Sequence, residues 1–227
     1  MEVRYGRCVV EAGRLGVLDQ VVELVSMLSV GSGIFLSRRN AQDAVQAAGT
    51  PATSGPNLQR HLDPRRIFFC DEGDAAMLLE VFRQFEAAGS SSVWCREHGL
   101  QFKALKKAKD IKNQLLGICR RLGIVNVVTD EGEDSVEVRV AKALCAGFFW
   151  NSARLNRGGY TIFGSSKVVE IHPDSCLNRT GVKVILFTEL VMTSRLFART
   201  VVKVKPEWLI QAGGKEFRKL MQQDEAE

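Results

Sequence analysis

Composition turns over once along this chain, near Val125, and that change constrains the fold more than any other feature. Before it, apolar residues recur at spacings of three and four; after it, β-branched and aromatic residues come in short runs split by turn signals. Between the two lies the acidic, turn-forming run TDEGEDSVE at 129–137. The pattern predicts a helical unit followed by a β unit, an α+β chain whose boundary falls in the acidic run. A length of 227 residues has room for one large domain or two small ones.

In the first half, Leu15, Leu18, Val21, Val22, Val25 and Leu28 form one stripe, so Val3 to Val30 reads as two helices broken near Gly13 and Gly16. The stretch from Gln42 to Arg60 is rich in Ala, Gly, Thr, Ser and Pro, and a flexible loop is expected over 41–66. Leu78, Val81, Phe82 and Phe85 share a helical face, with Asp74 as the expected N-cap and Gly89 as the stop. Ser90 to Ser92 can cap another helix carrying Trp94.

A long helix is predicted from Leu100 to Gly123. Leu105, Ala108, Ile111, Leu115, Ile118, Cys119 and Leu122 form its apolar stripe, and Lys103, Lys106, Lys107, Gln114, Arg120 and Arg121 lie opposite. A lysine face is ordinarily just solvated. Here hardly any acid stands at i,i+4 to relieve the lysines, and like charges on one face oppose the helix, so a compensating anion is inferred. In the second half, strands are expected at 160–163, 168–171, 182–187 and 196–204, at the spacing of a small barrel or sandwich. Pro206 can open a closing helix through Trp208 and Leu209.

Charge is segregated. The net +5 conceals a local +6 over 96–121 and +8 over 138–205, while the rest of the chain is acidic. Two basic islands suit a polyanion, because each neutralised phosphate releases condensed counterions. The competing reading is basic residues scattered on solvated faces. No stretch approaches the ~18 apolar residues of a membrane span, and the start Met1-Glu2-Val3-Arg4 lacks the apolar core of a secretory signal, so no membrane partner is expected. Six cysteines at 8, 70, 95, 119, 145 and 176 form no CxxC pair, which points to reduced thiols rather than a metal or disulfide frame. His61, His98 and His172 are too far apart for a local metal motif and are expected to be surface or packing residues. Neither GxxxxGK[ST] nor GxGxxG occurs, and Gly213-Gly214-Lys215-Glu216 lacks the phosphate-loop spacing. No catalytic residue, cofactor site or metal site is assigned.

Three blocks carry a family likeness. GDAAMLLEVFRQFEAAGSSSVWCREHGLQFKALKKAKDIKNQLLGI at 73–118 resembles the helicase-associated ratchet region of DEAH-box RNA helicases, and GRLGVLDQVVELVSMLSV at 13–30 resembles its beginning. AKALCAGFFWNSARL, GGY, IHPDSCL and TELVMTSRLFARTVVKVKPEWL look like the OB-fold domain that follows in the same proteins. The resemblance implies an all-α ratchet-like bundle over 1–124, an OB-fold-like β-barrel over 138–213 and a polar tail over 214–227. The chain departs from the family pattern at Ala75, where His is usual, and at His98-Gly99, which replaces an Asn-aromatic pair and would cost about 1 kcal/mol if Gly99 were helical.

The resemblance also implies a role. Family members thread single-stranded RNA past these domains while RecA-like domains hydrolyse ATP with Mg; this chain shows no ATPase motif and is expected to be inactive alone, with those domains supplied in cis or in trans. On that reading Lys103, Lys106, Lys107 and Gln114 face the RNA from the long helix, joined by Arg154, Tyr160, His172, Ser175, Arg195 and Arg199 from the OB domain. Tyr160 and Phe163 are candidate stacking platforms. Barrel core is the competing assignment for Phe148, Phe149, Trp150 and Phe163, and a structural ion pair is the competing role for Arg199. Trp94 and Trp208 are assigned to packing. Nuclear residence, with the cytoplasm as alternative, and splicing or ribosome-assembly partners follow from the family. The alternative function is a scaffold docking helicase activators or ribonucleoprotein partners.

Overall fold

The computed structural model describes residues 2–36, 64–127 and 134–226. Helices α1 (Val3–Arg14) and α2 (Leu18–Ser29) meet at Gly16 and lead into a 3-10 turn, Gly31–Ile34. A second 3-10 turn, Pro64–Phe68, precedes α3 (Asp74–Ala87), α4 (Ser92–Glu97) and α5 (Phe102–Arg121). Most of the loop expected at 41–66 lies outside the described residues. A further helix, α6 (Val136–Phe148), follows the acidic run and packs on α1 before any strand begins. Ser135 caps it, accepting from Val138 N at 3.4 Å.

The β half closes on itself. Strands β1 (Ser152–Asn156), β2 (Gly159–Ile162), β3 (Val168–Ile171), β4 (Val184–Met192) and β5 (Leu196–Lys203) are arranged in the order β1-β2-β3-β5-β4, and β1 returns to β4. Only the β3–β5 pair is parallel. This is the barrel of the two architectures left open by strand spacing. Alternation along β4 explains why it is apolar on both faces: Ile185 and Phe187 fill the barrel, while Val184 and Leu186 join the core shared with the helices. On β5, Val201 points inward and Val202 outward in the same way. One apolar core thus runs from the bundle onto the outer wall of the barrel.

Several local expectations are corrected. Gly99 lies outside any helix; its φ of 63° ends α4, and Leu100 N reaches back to Cys95 O at 2.7 Å, so glycine is favoured there rather than costly. Leu122 falls just past the end of α5 and is exposed instead of completing the stripe. Residues 214–226 are no polar tail: α7 (Pro206–Ala226) continues through them past a kink at Gly214, burying Phe217 and Met221. Phe217 meets Phe149, Trp150 and Phe163 edge-on at 5.4–6.0 Å. Phe217 and Met221, four apart, share a helical face, Leu220 packs against the same core, and the surrounding charges masked them in the composition.

Candidate functional site

Asp74 is the residue that joins the two halves. Gly73 takes the N-cap position expected of Asp74, with φ of 108°, and a Cβ there would lie 2.6 Å from the Val201 carbonyl. That close approach brings the buried Asp74 side chain against the barrel. Its Oδ1 accepts from Ser175 Oγ at 3.0 Å and Cys176 N at 2.8 Å, and its Oδ2 from Val201 N at 2.7 Å. Burial pushes the carboxyl above the usual range, and these hydrogen bonds pull the other way.

Beside this joint opens a cleft of about 460 Å³ between α1, α2 and α3 on one side and the β3–β4 connection with β4 and β5 on the other. Among its lining residues, Asp174 pairs with Arg65 and has Arg199 Nη2 and His172 Nδ1 each at 3.7 Å. Arg65 also lies over the Phe35 ring, 5.3 Å from its centroid. Burial, and then the neighbouring Arg199, hold the His172 imidazole below its ordinary value. Glu2, Glu189 and Arg4 complete a lining of both signs.

The structure gathers His172, Ser175 and Arg199 into this cleft. None of Lys103, Lys106, Lys107, Gln114, Arg154 and Arg195 lines it. The first four lie exposed along α5, which packs on α2 and α4; the basic face of the long helix and the cleft are two separate surfaces. Within α5 the lysines are sorted. Lys112 is tucked between Glu23 and Glu86, at 2.8 and 2.7 Å, and Lys109 donates to Ser90 Oγ at 2.8 Å, whereas Lys103, Lys106 and Lys107 make no ion pair among the described residues. Arg154 projects from β1 between β2 and β4, and Arg195 in the β4–β5 turn pairs with Glu170.

Two of the expected RNA contacts are structural. Tyr160 is buried in the barrel interior, its hydroxyl donating to the Val182 carbonyl at 2.8 Å, and has no free face for a base. Ser175 is buried, donating to Asp74 and accepting from Leu177 N at 3.2 Å. Phe163 is likewise core, and so are Phe148 and Phe149, but Trp150 is 53% exposed. Trp94 and Trp208 are partly buried against the core, as expected. Arg199 faces Asp174 in the ion pair considered for it. Sequence reading missed Arg65, which lay inside the expected loop, and Asp174, whose place beside His172 in IHPDS was its only signal. Among the described residues no cluster of three or more His, Cys, Asp or Glu could hold a metal, and no helix is long and apolar enough to cross a membrane.

A helical bundle whose core continues onto a closed five-stranded barrel defines a two-part module of the OB class. Two family models match it: the helicase associated domain (HA2), ratchet-like, over 2–78, and the oligonucleotide/oligosaccharide-binding (OB)-fold over 140–215. The chain belongs to the helicase-associated and OB-fold C-terminal module of DEAH-box helicases.

Proposed function

We propose that this helicase accessory module binds single-stranded RNA without sequence preference, guiding it for ATP-dependent remodelling by RecA-like domains in cis or in trans. The observation that carries the reading is the sorting of lysines on α5. Lys112 is neutralised by Glu23 and Glu86, and Lys109 faces Glu86 at 3.8 Å while donating to the Ser90 hydroxyl, whereas Lys103, Lys106 and Lys107 stand exposed beside Gln114 without a carboxylate partner among the described residues. Lysines so placed meet phosphates and read no sequence. Arg154 belongs to the same proposal on the barrel side, and nuclear work in splicing or ribosome assembly is its family context. ATP and Mg would be held by the RecA-like domains.

Fluorescence anisotropy with a single-stranded RNA oligonucleotide tests this. Log K should fall with log salt by about 0.7 per phosphate neutralised, and the triple change Lys103→Glu, Lys106→Glu, Lys107→Glu should weaken all sequences alike. Salt-independent binding, or undiminished binding by the triple variant, overturns the reading.

The cleft favours a second reading for its own face. Arg65 and Arg199 already face Asp174, Arg4 pairs with Glu2, and Glu189 adds a further acid to the lining, so a protein partner with charges of both signs suits it better than a phosphate chain. Tight binding to an activator or ribonucleoprotein protein by a chain with no RNA affinity would establish the scaffold role.

A further inference from the structure

Helix α1 buries one face and leaves the other in water. Cys8, Val9, Ala12 and Gly13 are buried, while Val3, Arg7, Val10 and Arg14, spaced four, three and four apart, are exposed, the two valines at 78% and 44%. Beside that exposed face opens a groove of about 750 Å³ walled by α1, α6 and α7. It shares no residue with the cleft at Asp174 or with the lysine row of α5. The half-buried small residues Gly6, Ala146 and Ala212 and the Trp208 ring line it, together with the cations Arg7, Arg14 and Lys142. Against these three cations the lining sets a single acid, Glu11, which lies 3.4 Å from Arg14. Lys142 is paired with Asp134, and Arg7 lies over the Phe149 ring, 5.5 Å from its centroid, with no ion pair among the described residues.

We propose that this groove docks an amphipathic helix of a partner protein, one whose apolar stripe is flanked by Asp and Glu. The stripe sets on Val3, Val10 and the small residues, and the acids meet Arg7, Arg14 and Lys142. The walls decide for a helix. All three are helices whose backbone groups are bonded within themselves, so an extended segment finds no strand edge to pair with, whereas a helix satisfies its own backbone. Val3 to Arg14 runs about 17 Å, the length of three helical turns, and small residues at the contact let two helix axes approach closely. The excess of cations over acid in the lining decides for an acidic partner. A phosphate chain would leave both exposed valines in water, and the Trp208 ring already carries the Lys142 and Lys205 ammoniums, 5.7 and 5.6 Å from its centroid. A second copy of the chain, docked through the same face, would bring one basic rim against another.

The experiment selects binders to the immobilised full chain from a phage library of helical peptides about 16 residues long. The strongest is then synthesised and mapped by amide chemical-shift changes on the isotope-labelled chain. The expected consensus has apolar residues at i, i+3 or i+4, and i+7 with Asp or Glu beside them, and the shifts cluster on α1 and around Lys142, Ala146, Trp208 and Ala212. Anisotropy with the labelled peptide should show affinity that falls with salt and drops about tenfold in Arg7→Glu with Arg14→Glu. Val10→Asp should weaken it as well, and the triple change of Lys103, Lys106 and Lys107 to Glu should leave it unaltered. RNA affinity should answer to the same variants in the reverse sense, so this proposal and the RNA-binding reading fail separately. No enriched sequence, a basic consensus, or shifts that map to the Asp174 cleft overturns the proposal. So does single-stranded RNA that moves the same α1 amides and displaces the peptide, or dimerisation of the chain that is abolished by Val10→Asp. The mapping on the unmodified chain stands even if a variant fails to fold.

Discussion

Asp74 Oδ2 accepts a hydrogen bond from the Val201 backbone N–H at 2.7 Å, across 127 positions of chain, and this contact makes the first turn of α3 part of the barrel wall. With Ser175 Oγ and Cys176 N on the other oxygen, one buried carboxylate satisfies three donors. Asp74→Ala leaves all three unpaired in a dry joint and is expected to cost about 3 kcal/mol or more. Asp74→Asn keeps one acceptor oxygen but turns an NH2 towards a donor, so a smaller loss is expected. Urea unfolding of the two variants checks both the size and the order; equal stability to the parent would mean that the joint is not held by Asp74.

Gly147 lies in α6 where it crosses α1, and a Cβ built there would meet the Arg4 carbonyl at 2.3 Å and Cys8 Sγ at 2.5 Å. Alanine in an exposed helix is favoured over glycine by about 1 kcal/mol, but here the obstacle is backbone that cannot swing aside. Gly147→Ala should therefore destabilise by about 1–3 kcal/mol, as overpacking does. A Tm that rises, following helix propensity, would show that α1 and α6 can separate without penalty.

The His172 ring is depressed by burial and by Arg199 and Arg65, against the raising influence of Asp174 and Asp74. Because its folded pKa lies below the ordinary 6.5, the unfolded chain takes up the proton first as pH falls. The stability His172 contributes is present above 6.5 and is lost as pH drops through the folded value. Unfolding midpoints for the parent should thus fall between about pH 7.5 and 5.5 more steeply than those of His172→Gln. Parallel pH dependence in the two proteins would remove His172 as the responsible group.

How far the sequence reached is visible in particular residues. The helix stripes and the barrel strands were legible because burial selects apolar residues at the period of each element: Val81, Phe82 and Phe85 on α3, or Ile185 and Phe187 on β4. Asp74 and Ser175 were legible only as an acid and a hydroxyl, since the bond between them depends on two distant segments meeting, which no local period encodes. Tyr160 misled for a related reason: aromatic residues suit a strand whichever way they point, and register places this one inside. Of the candidate site, the α5 face was read correctly as exposed, whereas the pairing of Arg65 with Asp174 joins a loop to the barrel and left no trace in spacing.

Lys103, Lys106 and Lys107 occupy the first two turns of α5, which carries no acid in its first turn. That is the positive end of the helix dipole, where cations are unfavourable by about 0.3–1 kcal/mol each at low salt. Glutamate at Lys103 reverses the sign of that interaction, and all three side chains are exposed, so the triple Glu variant should fold at least as stably as the parent. If these lysines are kept for phosphate, the same variant loses RNA affinity while its urea midpoint holds or rises, a divergence that a purely structural role cannot produce. Lys112→Met supplies the opposite pattern. It strands Glu23 and leaves Glu86 with Lys109 alone at 3.8 Å, lowers stability and leaves the salt slope of RNA binding unchanged. Should stability and affinity fall together in the triple variant, the lysine row is part of the scaffold, and the anion it faces is intramolecular.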